Sequence, residues 1–165
     1  MNSALAERPA VNASPLIQLA NAELLDFLQL AGPDIVVPRP VAEEIRAGGA
    51  ADAAVRALDS TPWLTVVEVP MMPPLIQAWD LGDGESSVLA WAHANPGTLA
   101  ILDDLAARRC AATLRVPVRG TLGLVLVAKQ RGRIKAARPV LERMRECGMY
   151  LSDSVLNRAL GLVGE

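Results

Sequence analysis

Short apolar segments alternate with helical ones along this chain, and this alternation limits the fold more than any other feature. Strand character is found near Pro9 to Ala13 and again over residues 34–37, 63–69, 98–104 and 116–118. Helical periodicity fills the intervals, and no linker rich in Gly, Ser or Pro divides the chain. Strands that alternate with helices form a parallel sheet covered on both faces. The sequence therefore predicts one α/β domain that spans residues 1–165.

Prolines, glycines and capping residues predict where the helices begin and end. Ser14 is expected to cap the first helix, with Pro15 at its first helical position. Pro40 is expected to open a helix that ends at Gly48-Gly49. Further helices are predicted over residues 51–58, 85–95, about 105–114, from 121 onwards, 139–147 and 152–162.

Composition excludes several classes of protein. The 165 residues are 52% hydrophobic, which suits a globular domain with a real core, whereas aromatic residues make up 3%. So few aromatic side chains argue against base stacking, and any binding of nucleic acid should come from charge and backbone contacts. Cys110 and Cys147 form neither a disulfide framework nor a zinc knuckle, which favours a reducing compartment. The longest uncharged apolar run, 120–128, is too short to span a bilayer, so we expect a cytoplasmic protein.

Charge is distributed unevenly along the chain. Residues 1–104 carry 14 acids and 4 bases, whereas residues 105–165 carry 12 bases and 4 acids. The densest basic group is Lys129, Arg131, Arg133, Lys135 and Arg138. This group either neutralises a polyanion such as RNA or forms the solvated face of a helix.

Four acids lie beside apolar residues on three different predicted elements: Glu44, Glu85, Asp103 and Asp104. Asp103 and Asp104 close a buried strand, and open α/β sheets bind their ligands at the carboxyl ends of strands. Carboxylates gathered there would form a hard-cation site, and ligands that are all oxygen favour Mg2+ or Mn2+ over zinc. The pattern predicts a binding site for a hard divalent cation.

Each acid also has a structural interpretation. Glu85 shares a helix face with Val88 and Leu89, but an acid in the first turn is also stabilised by the helix dipole. Glu44 lies three residues after Val41, and such a side chain can instead lie along apolar surface with its charge in water. Alternation along the strand sends the two aspartates to opposite faces, so the sequence does not decide between them.

Five segments, taken in order, resemble the PIN-domain family. They are Asn12-Ala-Ser-Pro-Leu-Ile, Pro40-Val-Ala-Glu-Glu-Ile, Leu81-Gly-Asp-Gly-Glu, Leu102-Asp-Asp-Leu-Ala-Ala-Arg and Val118-Arg-Gly-Thr-Leu-Gly. The resemblance is strongest to predicted nucleic-acid-binding members related to the VapC toxins. It implies a three-layer α/β/α domain with a central, mainly parallel sheet and a Mg2+ or Mn2+ site that hydrolyses RNA. The matching metal positions are Asn12, Glu44, Glu85 and Asp103 or Asp104.

The resemblance also implies partners and auxiliary residues. It implies the toxin of a toxin–antitoxin pair, inhibited by a small antitoxin protein, and a homodimer. Ser14 and Thr121 would be auxiliary hydroxyls near the site, although Thr121 could equally cap a helix. The charge pattern, rather than the resemblance, suggests that Lys129, Arg131, Arg133 and Lys135 contact the RNA. Asn12 departs from the family, which usually has a metal-binding Asp there, so the alternative is a catalytically weakened module that binds RNA or protein without cleavage.

Overall fold

The computed structural model of the protein describes residues 8–48 and 52–165. Within these residues one sheet has five strands: β1 (Ala10–Val11), β2 (Ile35–Pro38), β3 (Leu64–Val67), β4 (Ala100–Ile101) and β5 (Val118–Arg119). The strand order is β3-β2-β1-β4-β5, and every neighbouring pair is parallel. Parallel neighbours require crossover connections, which the helices supply.

The connecting helices cover the sheet on both faces. They are α1 (Ala13–Asn21), a 3-10 helix (Leu25–Leu30), α2 (Arg39–Ala47), α3 (Ala53–Ser60), α4 (Pro74–Gln77), α5 (Asp83–Ala94), α6 (Leu105–Thr113), α7 (Thr121–Gln130), α8 (Arg138–Glu146) and α9 (Asp153–Gly161). The predicted three-layer α/β/α class with a parallel central sheet is confirmed. The single domain expected over residues 1–165 stays a prediction.

The central strands are buried on both sides, as their continuous apolar runs require. Ile35, Val36 and Val37 of β2 have no exposed surface, because helices pack on both faces of a parallel sheet. Helix α5 packs against β1 and β2, and α1 packs against α2, α3 and α7. The apolar side chains of these elements form one continuous core within the described residues.

The strand order places a crevice at the carboxyl ends of β1 and β4. The chain leaves β1 for β2 on one side of the sheet, whereas β4 lies on the other side. Open α/β sheets bind ligands where the strand order reverses in this way. The Asn12 backbone N–H, directly after β1, donates to the Ile101 carbonyl of β4 at 3.1 Å, so Asn12 is fixed beside the end of β4.

Several helices and strands begin or end at other residues than the sequence predicts. Helix α1 begins at Ala13, so Ser14 is inside the first turn and Pro15 at the third helical position. The prediction of Ser14 as the cap is wrong, because the chain turns into the helix directly after the extended Asn12. Strand β4 has two residues, which leaves Asp103 and Asp104 outside it. Prolines 73 and 74 open the short α4, which the sequence did not predict.

The remaining expectations concern two helix boundaries, the two cysteines and membrane-spanning helices. The predicted helix limits at Gly49 and Ala51 lie outside the described residues. Cys110 and Cys147 are free thiols. Over the described ranges, no helix combines the length and the apolar character needed to cross a membrane.

Candidate active site

A cavity of about 470 Å³ opens at the carboxyl ends of β1 and β4. It is lined by Asn12, Ser14, Gln18, Glu85, Asp103, Asp104, Leu122, Met149, Tyr150 and Leu151. The structure thus brings together four of the predicted metal-site residues, Asn12, Glu85, Asp103 and Asp104, and the predicted auxiliary residue Ser14. Glu44 lines a neighbouring cavity that shares Glu85.

Asn12 lines the cavity and is only 2% exposed. Its Nδ2 donates to Glu85 Oε1 at 3.1 Å, which holds the carboxylate of α5 against the end of β1. Its Oδ1 is buried and accepts no hydrogen bond. In the described part of the chain only one other buried side-chain polar atom lacks a partner, Gln18 Oε1, and Gln18 lines the same cavity. A buried acceptor without a donor costs roughly 1–3 kcal/mol, so this wall is suited to a ligand that supplies positive charge or donors.

Gly84 allows the approach of Asn12 to Glu44. A Cβ atom at Gly84 would lie 2.8 Å from Asn12 Oδ1 and 2.9 Å from Glu44 Oε2. Both oxygens are therefore within 2.9 Å of one point on α5. Only glycine leaves room for this approach without displacing one of the two side chains.

Glu44 lies in an acidic environment although the residue as a whole is exposed. Loss of hydration raises the pKa of its carboxyl group, and repulsion by Glu85 and Asp83 raises it further. Asp83, which the sequence did not single out, lines the neighbouring cavity with Glu44 and Glu85. The carboxylates of α2 and α5 thus repel one another, and a cation between them would relieve this repulsion.

Asp103 ties the end of β4 to the start of α7. Its Oδ1 accepts the Thr121 backbone N–H at 2.7 Å, and its Oδ2 accepts the Thr121 hydroxyl at 2.6 Å. The carboxylate therefore compensates the positive end of α7. The helix-capping alternative for Thr121 is wrong, because Gly120 is the cap residue and the Thr121 hydroxyl donates to Asp103 instead.

Asp104 caps helix α6 through Oδ2, which accepts the Ala107 backbone N–H at 2.8 Å. Both aspartates line the main cavity. Alternation along the strand would have separated them, but β4 ends at Ile101 and both lie in the turn that follows. Asp103 is engaged through both carboxylate oxygens and Asp104 through one.

The acids surround the cavity rather than meet at one point. Over residues 8–48 and 52–165, no three or more His, Cys, Asp or Glu side chains gather closely enough to hold a metal ion by themselves. Glu85, Asp103 and Asp104 are each held by a different protein partner. Asn12, Ser14, Glu85, Asp103 and Asp104 line the cavity and carry oxygen atoms that can bind a metal ion, and Asn12 Oδ1 lacks a hydrogen-bond partner. This chemistry fits a hard divalent cation that also keeps bound water.

Comparison with known proteins assigns the family. A family model described as a PIN domain matches residues 9–165 of the chain. The chain belongs to the PIN-domain family. No curated protein and no solved structure gives a significant match. PIN domains are generally nucleases that bind nucleic acids and use divalent metal ions, which supports a nuclease-type activity for this one.

The predicted RNA-binding group lies away from the acids of the PIN domain. Lys129 is eight residues after Thr121 in α7, about 12 Å along the helix. Its Nζ donates to the Lys135 carbonyl at 2.5 Å and pairs with Glu165 at 3.5 Å. Arg131 donates to the Leu30 carbonyl at 2.9 Å. Contact between RNA and Lys129, Arg131, Arg133 and Lys135 stays a prediction, but two of these side chains already hold the fold together.

Other residues of the PIN-domain site were missed. Arg108 Nη1 lies 3.1 Å from the point where a Gly120 Cβ would be, and Asp103 Oδ1 lies 3.0 Å from the same point. Arg108 is thus a base next to the acids, and its position four residues after Asp104 was a usable signal. Ser14 and Gln18 are joined, since the Gln18 amide donates to Ser14 Oγ at 3.1 Å. No pattern in the sequence pointed to Tyr150.

Proposed function

We propose that this protein is a metal-dependent endoribonuclease that hydrolyses RNA phosphodiester bonds. One observation carries the proposal: Asn12, Glu85, Asp103 and Asp104 share a cavity at the switch point of the sheet, and the Asn12 carbonyl there is buried without a donor. Membership of the PIN-domain family supports hydrolysis of nucleic acid. An oxygen donor set suits Mg2+ or Mn2+.

Glu85, Asp104 and the Asn12 carbonyl would hold the cation, with Glu44 on its α2 side. Asp104 suits this role better than Asp103, because only one of its carboxylate oxygens is engaged. When bound, such a cation would supply positive charge to a phosphate oxygen and a water of lowered pKa. The protein contributes positioning: the Asn12 amide orients Glu85, and Asp103 fixes the start of α7. Arg108 supplies a positive charge beside the acids that would otherwise repel phosphate.

Cleavage of mixed RNA in Mn2+ tests this proposal. Glu85→Gln and Asp104→Asn should each lower the rate by on the order of 100-fold, since even residues that only support metal ligands cost 10- to 100-fold. Glu142→Gln is the matched control, because Glu142 is an exposed acid on α8. Wild-type cleavage no faster than that of Glu85→Gln would rule out the enzyme.

A second candidate function is a PIN module that binds RNA or a protein partner without cleaving RNA. The observation in its favour is that Asn12 is neutral and donates to Glu85, so the first motif adds no charge to the site. Calorimetry with Mn2+ separates the two, because tight binding that Glu85→Gln abolishes would argue against an inactive site.

The more specific parts of the proposal concern the biological setting. We place the protein with the VapC-related toxins, with a small antitoxin as inhibitor and a homodimer as its assembly. A cytoplasmic location belongs to the same proposal and is motivated by the two free cysteines. Light scattering on the purified protein tests the dimer, since a monomer mass at micromolar concentration would contradict it.

A further inference from the structure

Tyr150 is an exposed aromatic ring in a protein that has few rings. The chain contains one Tyr, one Phe and three Trp. Phe27 is buried, and Trp63, Trp79 and Trp91 are half-buried against the core. Tyr150 is 91% exposed, so its ring contributes almost nothing to the core.

The ring is placed at the candidate active site. Tyr150 lines the same cavity as Asn12, Glu85, Asp103 and Asp104. The apolar residues Leu122, Met149 and Leu151 line it as well. The lining thus combines carboxylates, suited to a cation and phosphate, with apolar residues and one aromatic residue. A nucleotide likewise combines a phosphate with a base.

The loop between α8 and α9 holds Tyr150 in a defined position. The Met149 N–H donates to the Met144 carbonyl and the Gly148 N–H to the Arg145 carbonyl, both at 3.0 Å. Gly148 has a φ of 109°, which allows the chain to reverse after α8. Met149 and Leu151, on either side of the tyrosine, pack against the core. Anchored neighbours reduce the entropy lost when a ligand packs against the ring.

We infer that Tyr150 stacks on an unpaired base of the RNA whose phosphate lies against the acids. This inference rests on the proposed nuclease function and adds a positioning residue to it. Aromatic rings bind single-stranded nucleic acid through the flat faces of bases, and in a duplex neighbouring base pairs cover those faces. Stacking by Tyr150 would be an exception, at one position, to the expectation that base stacking is unlikely. A concave cavity of about 470 Å³ suits a nucleotide better than it suits a flat protein surface.

Fluorescence of a short single-stranded RNA that carries 2-aminopurine tests the inference. Binding is measured in Mn2+ by rapid mixing, before appreciable cleavage, and the same strand annealed to its complement is the duplex control. Tyr150→Ala should weaken single-strand binding about tenfold, equivalent to about 1.4 kcal/mol, and abolish quenching of the base. Tyr150→Phe should bind within about twofold of wild type, because the ring provides the stacking. Duplex binding should change little in either variant.

Leu162→Ala is the matched control. Leu162 is 71% exposed and directly follows the last residue of α9. It lies about 14 Å along the helix from Asp153, the first residue of α9. Removal of the Leu162 side chain should leave RNA binding unchanged. Steady-state cleavage in Mn2+ gives a second readout, in which Tyr150→Ala should raise KM more than it lowers kcat. Because Tyr150 is so exposed, the variants should unfold at the wild-type temperature.

Four results would overturn the inference. Equal RNA binding and cleavage by Tyr150→Ala and an active wild type would remove the stacking role and leave the nuclease intact. Equal losses in Tyr150→Phe and Tyr150→Ala would assign the effect to the hydroxyl. A change in molecular mass by light scattering with unchanged RNA binding would make Tyr150 a protein contact. If wild type neither binds nor cleaves RNA, the proposed function fails first and the inference fails with it.

Discussion

Asn12→Asp is the most informative single change, because it puts a charge where the structure has a neutral donor. The Asn12 amide donates to Glu85 Oε1 at 3.1 Å from a side chain that is 2% exposed. Aspartate would remove that donor and place a second carboxylate against the first. Hydrogen bonds to charged groups contribute roughly 1.5–3 kcal/mol, so we expect the free energy of unfolding in EDTA to fall by about 2 kcal/mol.

Mn2+ should reverse this loss. The two carboxylates in the variant repel each other and both favour a cation, so the variant should bind Mn2+ more tightly than wild type does. A ligand present at 100 times its Kd stabilises the folded state by about 2.7 kcal/mol. This is enough to bring the variant back to the stability that wild type has in EDTA. Cleavage of RNA should rise as well, since the restored charge strengthens the site.

Urea unfolding followed by tryptophan fluorescence measures both effects, in EDTA and in Mn2+. Asn157→Asp is the control, because Asn157 is exposed on α9 and a surface change of this kind should stay within about 0.5 kcal/mol. If Asn12→Asp is as stable in EDTA as Asn157→Asp, the hydrogen bond to Glu85 does not stabilise the fold. Equal protection of the variant and wild type by Mn2+ would contradict the placement of the cation beside residue 12.

Two further predictions concern stability and are measured by urea unfolding. Gly84→Ala should lower the free energy of unfolding by about 1–2 kcal/mol, because crowding against Asn12 Oδ1 and Glu44 Oε2 outweighs a gain in helix propensity of about 1 kcal/mol. Gly161→Ala, where an added Cβ meets nothing within 4 Å, should be neutral or stabilising, and equal stability of the two variants would refute the clash. Thr121→Val should lower the free energy of unfolding by about 1.5–3 kcal/mol, because Asp103 loses a hydroxyl donor. Thr121→Ser keeps a hydroxyl and should keep the wild-type stability. Equal stability of these two variants would contradict a stabilising role for the hydrogen bond.

The order of elements followed from the sequence because local patterns encode it. The apolar run of β2 is buried on both faces, as continuous apolar runs in parallel sheets are. Gly48 ends α2 as predicted, and Pro40 lies in its first turn. The errors occur where tertiary contacts replace local signals. Ser14 is a good cap by type, yet the helix starts before it because Asn12 is already fixed to β4.

The four acids were chosen from the sequence because they lie beside apolar residues, and Asn12 was chosen from the family resemblance. The structure brings all of them except Glu44 to one cavity. Their partners could not be chosen that way. Asn12 and Glu85 are 73 residues apart in the chain, and Asp103 and Thr121 are 18 apart. Hydrogen bonds across such distances depend on strand order and register, which no local pattern specifies. The same reason hid Tyr150, because the packing of α8 and α9 decides where the loop between them lies.

The sequence by itself determined the alternation of strands and helices and the presence of two acids directly after a strand, since periodicity and side-chain chemistry are local properties. Tertiary structure alone decided which acids share a cavity, which of them are tied to protein donors, and that Asn12 is left with a buried carbonyl. It also decided that the basic group at Lys129 lies at the far end of α7 from the acids. The physical reason is that charge acts through space, and distances in space are set by packing.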